Sequence, residues 1–175
     1  MNRRTAVRNI VIISAGASLL PSCTSSTNEG SLPLKNISLT ASQENMLAEL
    51  TETIIPKTGN FIGAKDLKSH EFILTMVDDC ASPEDQKTFT ESMKAFEDAC
   101  QKKFNTSFTE CTAQQRNELL QEMEAGNGDK DNSVKFYKAV KRYTLQSFTS
   151  SKDYLTNVVK WKITPGSNFK GCVPV

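Results

Sequence analysis

From residue 40 onward, apolar side chains recur at intervals of three and four, the period that lays one stripe along an α-helix. Thr40 and Gln43 have capping-box spacing ahead of Met46, Leu47, Leu50 and Ile54, and Pro56 stops the run, which predicts a helix over 41–55. After a loop with Gly59 and Gly63, a second helix is expected near 70–80, with Phe72, Met76 and Cys80 on one face and Ile73 and Val77 on the adjoining one. Ser82-Pro83-Glu84-Asp85 combines an N-cap serine, a first-turn proline and two acids. Behind it Phe89, Met93, Phe96, Cys100 and Phe104 fall within an arc of about 80° at ~100° per residue, the best-defined amphipathic face in the chain. Thr112 and Gln115 repeat the capping box before Leu119, Leu120 and Met123, and Gly126-Asn127-Gly128 closes that helix.

A fifth helix is predicted from about Ser133 to Phe148, with Phe136, Val140, Tyr143, Thr144 and Ser147 along one side, followed by a short turn at Lys152–Asn157. Val159, Trp161 and Ile163 then alternate with lysines, a weak extended pattern ended by Pro165-Gly166. With no internal repeat and no boundary after residue 39, the pattern implies one compact all-α domain of about five helices over 39–175, with an irregular tail tied back by a disulfide.

The N-terminal end has a different grammar. Arg3, Arg4 and Arg8 precede an uncharged stretch, Ile10 to Leu20, and no acid occurs before Glu29, which is the pattern of an export signal over residues 1–22. Its apolar core covers only about half of a ~30 Å hydrocarbon layer as a helix, too little for a span. Leu20-Pro21-Ser22-Cys23 resembles a bacterial lipobox, which makes Cys23 the lipid-bearing first residue of the mature chain. Buried acyl chains contribute ~0.8 kcal/mol per methylene, so more than one chain anchors stably. The Arg3-Arg4 pair is also that of a twin-arginine signal for folded cargo, although Ala6 stands where a bulky residue is usual; general secretion is the competing route. Residues 24–38 are rich in Ser, Thr and Asn and read as a flexible tether reaching about 20 Å.

Export changes the charge and the cysteine chemistry. Loss of three arginines turns the formal +1 of the whole chain into −2 for residues 23–175, which gives no electrostatic case for nucleic acid. Cys80, Cys100, Cys111 and Cys172 remain, an even number that favours disulfides in an exported protein. Three pairings are possible; Cys100 with Cys111 and Cys80 with Cys172 are favoured, contributing ~3 and ~4–5 kcal/mol on the chain-entropy view, with buried free thiols acting as small hydrophobes as the alternative.

Catalytic patterns are missing from the sequence. His70 is the sole histidine, so no multi-histidine metal set can form, and its place beside a helix start suggests an exposed polar residue. No glycine-rich phosphate loop and no Cys-x-x-Cys-His occurs, which leaves dinucleotide binding and covalent haem unsupported. Asn127, Asp129 and Asp131 imitate the start of a calcium loop, but Asn132 and Lys138 stand where the turn glycine and closing glutamate belong. Asp78-Asp79 reads as a solvated helix end, with metal ligation or a partner's cation as the alternatives. No catalytic, cofactor-binding or metal-binding residue is therefore assigned.

Taken in order, Leu39-Thr40, Leu47, Leu50, Thr53-Ile54-Ile55-Pro56, Gly63-Ala64, Phe72-Ile73 and Met76-Val77-Asp78-Asp79-Cys80 resemble the gluconate 2-dehydrogenase subunit 3 family. Pro165-Gly166 and Gly171-Cys172-Val173-Pro174 resemble the tail of its Bacteroidetes-type lipoprotein members. The resemblance implies a non-catalytic small subunit with no cofactor of its own. Its partner would be an FAD-holding large subunit of the glucose–methanol–choline type that oxidises sugars, sugar acids or polyols, with a cytochrome c subunit or another acceptor taking the electrons. It further implies that the small subunit carries the folded flavoprotein across the membrane and holds it on the periplasmic side of the envelope. Trp161, Ile163 and Phe169, bulky residues outside any helical stripe, are the expected partner interface, with Trp161 folded back onto the helices as the alternative. A free-standing envelope lipoprotein that binds another partner is the competing expectation.

Overall fold

The computed structural model describes residues 30–161 other than Asn60 and Asp129. Arg3, Arg4, Cys23, Ile163, Phe169 and Cys172 lie outside the described residues. Among the described residues six helices follow one another: α1 Ala41–Ile54, α2 Ser69–Cys80, α3 Pro83–Phe104, α4 Ala113–Ala125, α5 Asn132–Thr149 and α6 Lys152–Asn157. No strand occurs among the described residues; Thr58 and Phe61 form an isolated bridge in the α1–α2 loop.

Helix boundaries follow cap chemistry. Thr40 and Thr112 each accept a bond from the backbone N–H three residues on, and Gln43 and Gln115 return bonds to the cap N–H groups. Ser82 caps α3 ahead of Pro83, and α3 ends on Asn105 at φ 55, a left-handed conformation that asparagine tolerates. The Asp131 carboxylate is used as the α5 cap, accepting from the Ser133 N–H at 2.8 Å.

Helix α5 is the axis of the molecule, packing against each of the other five, most extensively α3. Their shared core contains Phe89, Met93, Phe96, Phe136 and Val140, with Phe96 set against the rings of Phe108 and Phe136 at 5.4 and 5.5 Å. On α2 the inward face is Ile73, Leu74 and Val77, while Phe72 and Met76 are half-buried and Cys80 is exposed. Of the two expected faces, the one through Ile73 and Val77 is the buried one, completed by Leu74, while Phe72 packs against the edge of the core.

The expected tether extends less far than residue 38. Gly30 donates to the Leu39 carbonyl, the Ser31 N–H and hydroxyl both donate to Glu44, and Leu32, Leu34 and Ile37 pack on the core. Polar composition concealed three apolar side chains sufficient to seat this arm.

Candidate partner-binding surface

Among the described residues the large apolar side chains left in solvent are few, and most are grouped in sequence. Phe61, in the α1–α2 loop, stands apart at 44% exposed; Leu145 is 44% exposed, Val158 45%, Val159 49% and Trp161 53%. Leu145 lies near the end of α5, and the other three follow α6, which packs back on α5 through Phe148 and Tyr154, ring centroids 5.4 Å apart. Ser151 caps α6 through the Tyr154 N–H, and after Asn157 the chain turns so that the Trp161 N–H reaches the Leu155 carbonyl at 2.8 Å. Lys160 takes φ 57, which breaks the alternation expected of an extended Val159-Trp161-Ile163 run. The Trp161 backbone is therefore fixed to α6 while its indole stays more than half in water. Exposed apolar groups gathered at one end of a molecule are what a protein contact buries.

A groove of ≈ 370 Å³ runs between the C-terminal end of α2, the first half of α3 and α5. Val77, Phe89, Ala139 and Tyr143 supply its apolar lining, Lys135 and Arg142 its cations, and Cys80 its thiol. The Arg142 guanidinium lies 4.8 Å from the centroid of the Tyr143 ring. Opposite, Asp85 is held by the Ser82 hydroxyl at 2.7 Å.

The other polar residues singled out in the sequence have structural partners. Asp78 is a buried carboxylate that accepts the N–H groups of Lys35, Asn36 and Ile37 at 2.9, 2.7 and 2.9 Å. Those bonds, the Lys35 N–H foremost, hold it below the usual carboxylate range. It is neither a solvated helix end nor open to a metal. The carbonyl of Asp78 accepts in turn from Asn36 Nδ2 and from Gln86 Nε2. Sequence reading missed this because the three donors are backbone groups some forty residues away, with no residue-type signature.

His70 is half-buried rather than exposed; its Nδ1 is buried with no partner, and desolvation lowers its pKa below the ordinary 6.5. Cys100 and Cys111 are adjacent thiols, Sγ to Sγ 3.6 Å, not a bonded disulfide. Burial, then the neighbouring thiol, pushes Cys100 up to about 12. Cys80 is a free, exposed thiol. Arg116, which the sequence did not flag, reaches from α4 to Glu49 of α1 at 2.8 Å and to the carbonyls of Phe108 and Thr109. Among the described residues no three His, Cys, Asp or Glu side chains are grouped to hold a metal ion. None of the described helices is long and apolar enough to cross a membrane.

This helical body matches one family over residues 41–166: gluconate 2-dehydrogenase subunit 3. The chain belongs to that family. No curated protein and no solved structure matches it. Membership makes the protein an accessory-type subunit of a dehydrogenase complex. In that setting the exposed end around α6, and Trp161 above all, is the candidate contact surface for the rest of the complex.

Proposed function

We propose that this subunit is the non-catalytic companion of an FAD-dependent dehydrogenase of the glucose–methanol–choline type acting on sugars, sugar acids or polyols, which it helps to export and then holds at the periplasmic side of the envelope. FAD resides on the large subunit, and electrons pass to a cytochrome c subunit or another acceptor. Cys23 carries the lipid, and Arg3 and Arg4 direct the folded pair to twin-arginine export.

The observation that carries the reading is the family match across most of the helical body. Supporting it are the exposed apolar residues around α6 and a sequence without a glycine-rich phosphate loop. Trp161 is the central contact, with Ile163 and Phe169 as further candidates.

Co-expression tests the proposal. A signal-less flavoprotein from the same gene neighbourhood should reach the envelope only with this subunit present. It should stay in the cytoplasm when Arg3 and Arg4 are both changed to Lys, because recognition reads the guanidinium pair rather than charge. Export of the flavoprotein without the subunit would refute the carrier role. Release of Cys23→Ala protein from washed membranes would support the anchor, and its retention would count against lipidation.

A further inference from the structure

We propose that the groove between α2, α3 and α5 receives a segment of the dehydrogenase subunit in which carboxylates flank an apolar side chain, a reading that rests on the companion role. The groove's lining is apolar apart from its charges. Val77 and Phe89 reach it from the core, with Ala139 and Tyr143 beside them. The hydroxyls around it are occupied within the chain: Ser82 donates to Asp85, Thr88 to the Glu84 carbonyl, and Ser92 to the carbonyls of Thr88 and Phe89. At ≈ 370 Å³ the groove lies in the lower part of the roughly 300–1,000 Å³ range of ligand pockets, room for a few side chains.

Charge decides what those side chains must carry. Lys135 and Arg142 stand seven residues apart on α5, two turns, so they fall within about 20° of one another along one wall. Both are exposed, and neither forms an ion pair with a carboxylate among the described residues, whereas Lys141 on the same helix is paired with Glu124. The opposite wall bears Asp85, whose carboxylate already accepts from Ser82. Carboxylates of an incoming segment are therefore drawn to the α5 wall and repelled from the α3 wall, which lays the segment along α5. A basic segment would meet Lys135 and Arg142 as like charges, and an uncharged one would leave them uncompensated.

The same wall leads to the exposed end of the molecule. Leu145 follows Arg142 by three residues, about 4.5 Å along the axis, and α6 with Val158, Val159 and Trp161 comes after it. A segment seated in the groove thus continues onto the candidate contact surface. That continuity favours a polypeptide over a free carboxylate compound.

The purified mature protein and the dehydrogenase encoded beside its gene supply the test. Lys135→Glu with Arg142→Glu should weaken their binding about tenfold or more, and the affinity of the parent should fall as salt is raised toward ~0.5 M. Lys135→Gln with Arg142→Gln, which removes the charges without reversing them, should give an intermediate loss. Both positions are exposed and both replacements are good helix formers, so melting temperatures should stay within a few degrees of the parent. A benzophenone amino acid placed at Thr88, in the groove lining, should crosslink on illumination to a dehydrogenase peptide with acidic residues beside an apolar one. Unchanged affinity in both charge variants, crosslinks to a second copy of this chain, or crosslinks to a dehydrogenase peptide without carboxylates would each overturn the proposal and leave the companion role standing. Failure of the parent protein to bind the dehydrogenase would overturn both.

Discussion

Asp78 shows how one side chain changes role with its surroundings. Its three backbone donors stabilise the ionised form, so the folded pKa is depressed relative to the unfolded chain. The corresponding stability is present above the unfolded aspartate value near 3.9 and is lost as pH falls through the folded value. Asp78→Asn presents an amide group to N–H donors and should free the arm, raising hydrogen exchange at the Lys35, Asn36 and Ile37 amides; unchanged protection would contradict this anchor. His70 acts in a separate window. A neutral imidazole favoured by burial has a folded pKa below 6.5, so stability falls as pH drops below about 6.5, where the unfolded histidine takes up its proton. His70→Gln should flatten the melting temperature between pH 7 and pH 5.5 relative to the parent. Gly63 is constrained by space: a Cβ there would lie 2.5 Å from both Glu52 carboxylate oxygens and 2.7 Å from the Lys57 nitrogen. Since Glu52 accepts the Lys57 and Lys65 N–H groups at 2.9 and 2.8 Å, Gly63→Ala should cost about 1–3 kcal/mol in denaturant unfolding.

At the scale of elements, the α3–α5 pair dominates. Phe96 is fully buried between Phe108 and Phe136, so Phe96→Ala should destabilise by about 3–5 kcal/mol, with an unfolding midpoint near that of the parent as the contradicting result. Much of this layer was legible in sequence, because caps and stripes are local: Thr40/Gln43, Ser82-Pro83 and Thr112/Gln115 mark helix starts, and Phe89 to Cys100 marks a core face. What depended on distant chain was not legible. On α2 the choice between the Met76 and Leu74 sides is made by neighbouring helices, and the arm from Gly30 to Leu39 is seated by Glu44 and Asp78. At the candidate contact end, Trp161 was identifiable as a bulky residue off every stripe. Leu145 was equally off the α5 stripe, a signal available but unused, whereas the fold-back after α6 depends on the Lys160 conformation and could not be read.

For the whole molecule, the central claim is that this small helical body serves a flavoprotein by binding it. The arm from Gly30 to Leu39 is seated on the body by the Leu39 carbonyl, Glu44 and Asp78, so this part of the expected tether belongs to the folded unit. Trp161 can be separated from core residues by its exposure: Trp161→Ala should leave the melting temperature within a few degrees of the parent, since surface changes are usually within about ±0.5 kcal/mol. The most direct measurement is affinity capture of the tagged protein from its native envelope, with flavin absorbance and mass spectrometry of what accompanies it. The account predicts a flavin-bearing dehydrogenase in a fixed ratio to this chain, lost from Trp161→Ala captures although that variant still folds and reaches the membrane. Capture of the folded, membrane-located parent protein with no flavoprotein, from cells shown to make the neighbouring dehydrogenase, would contradict it.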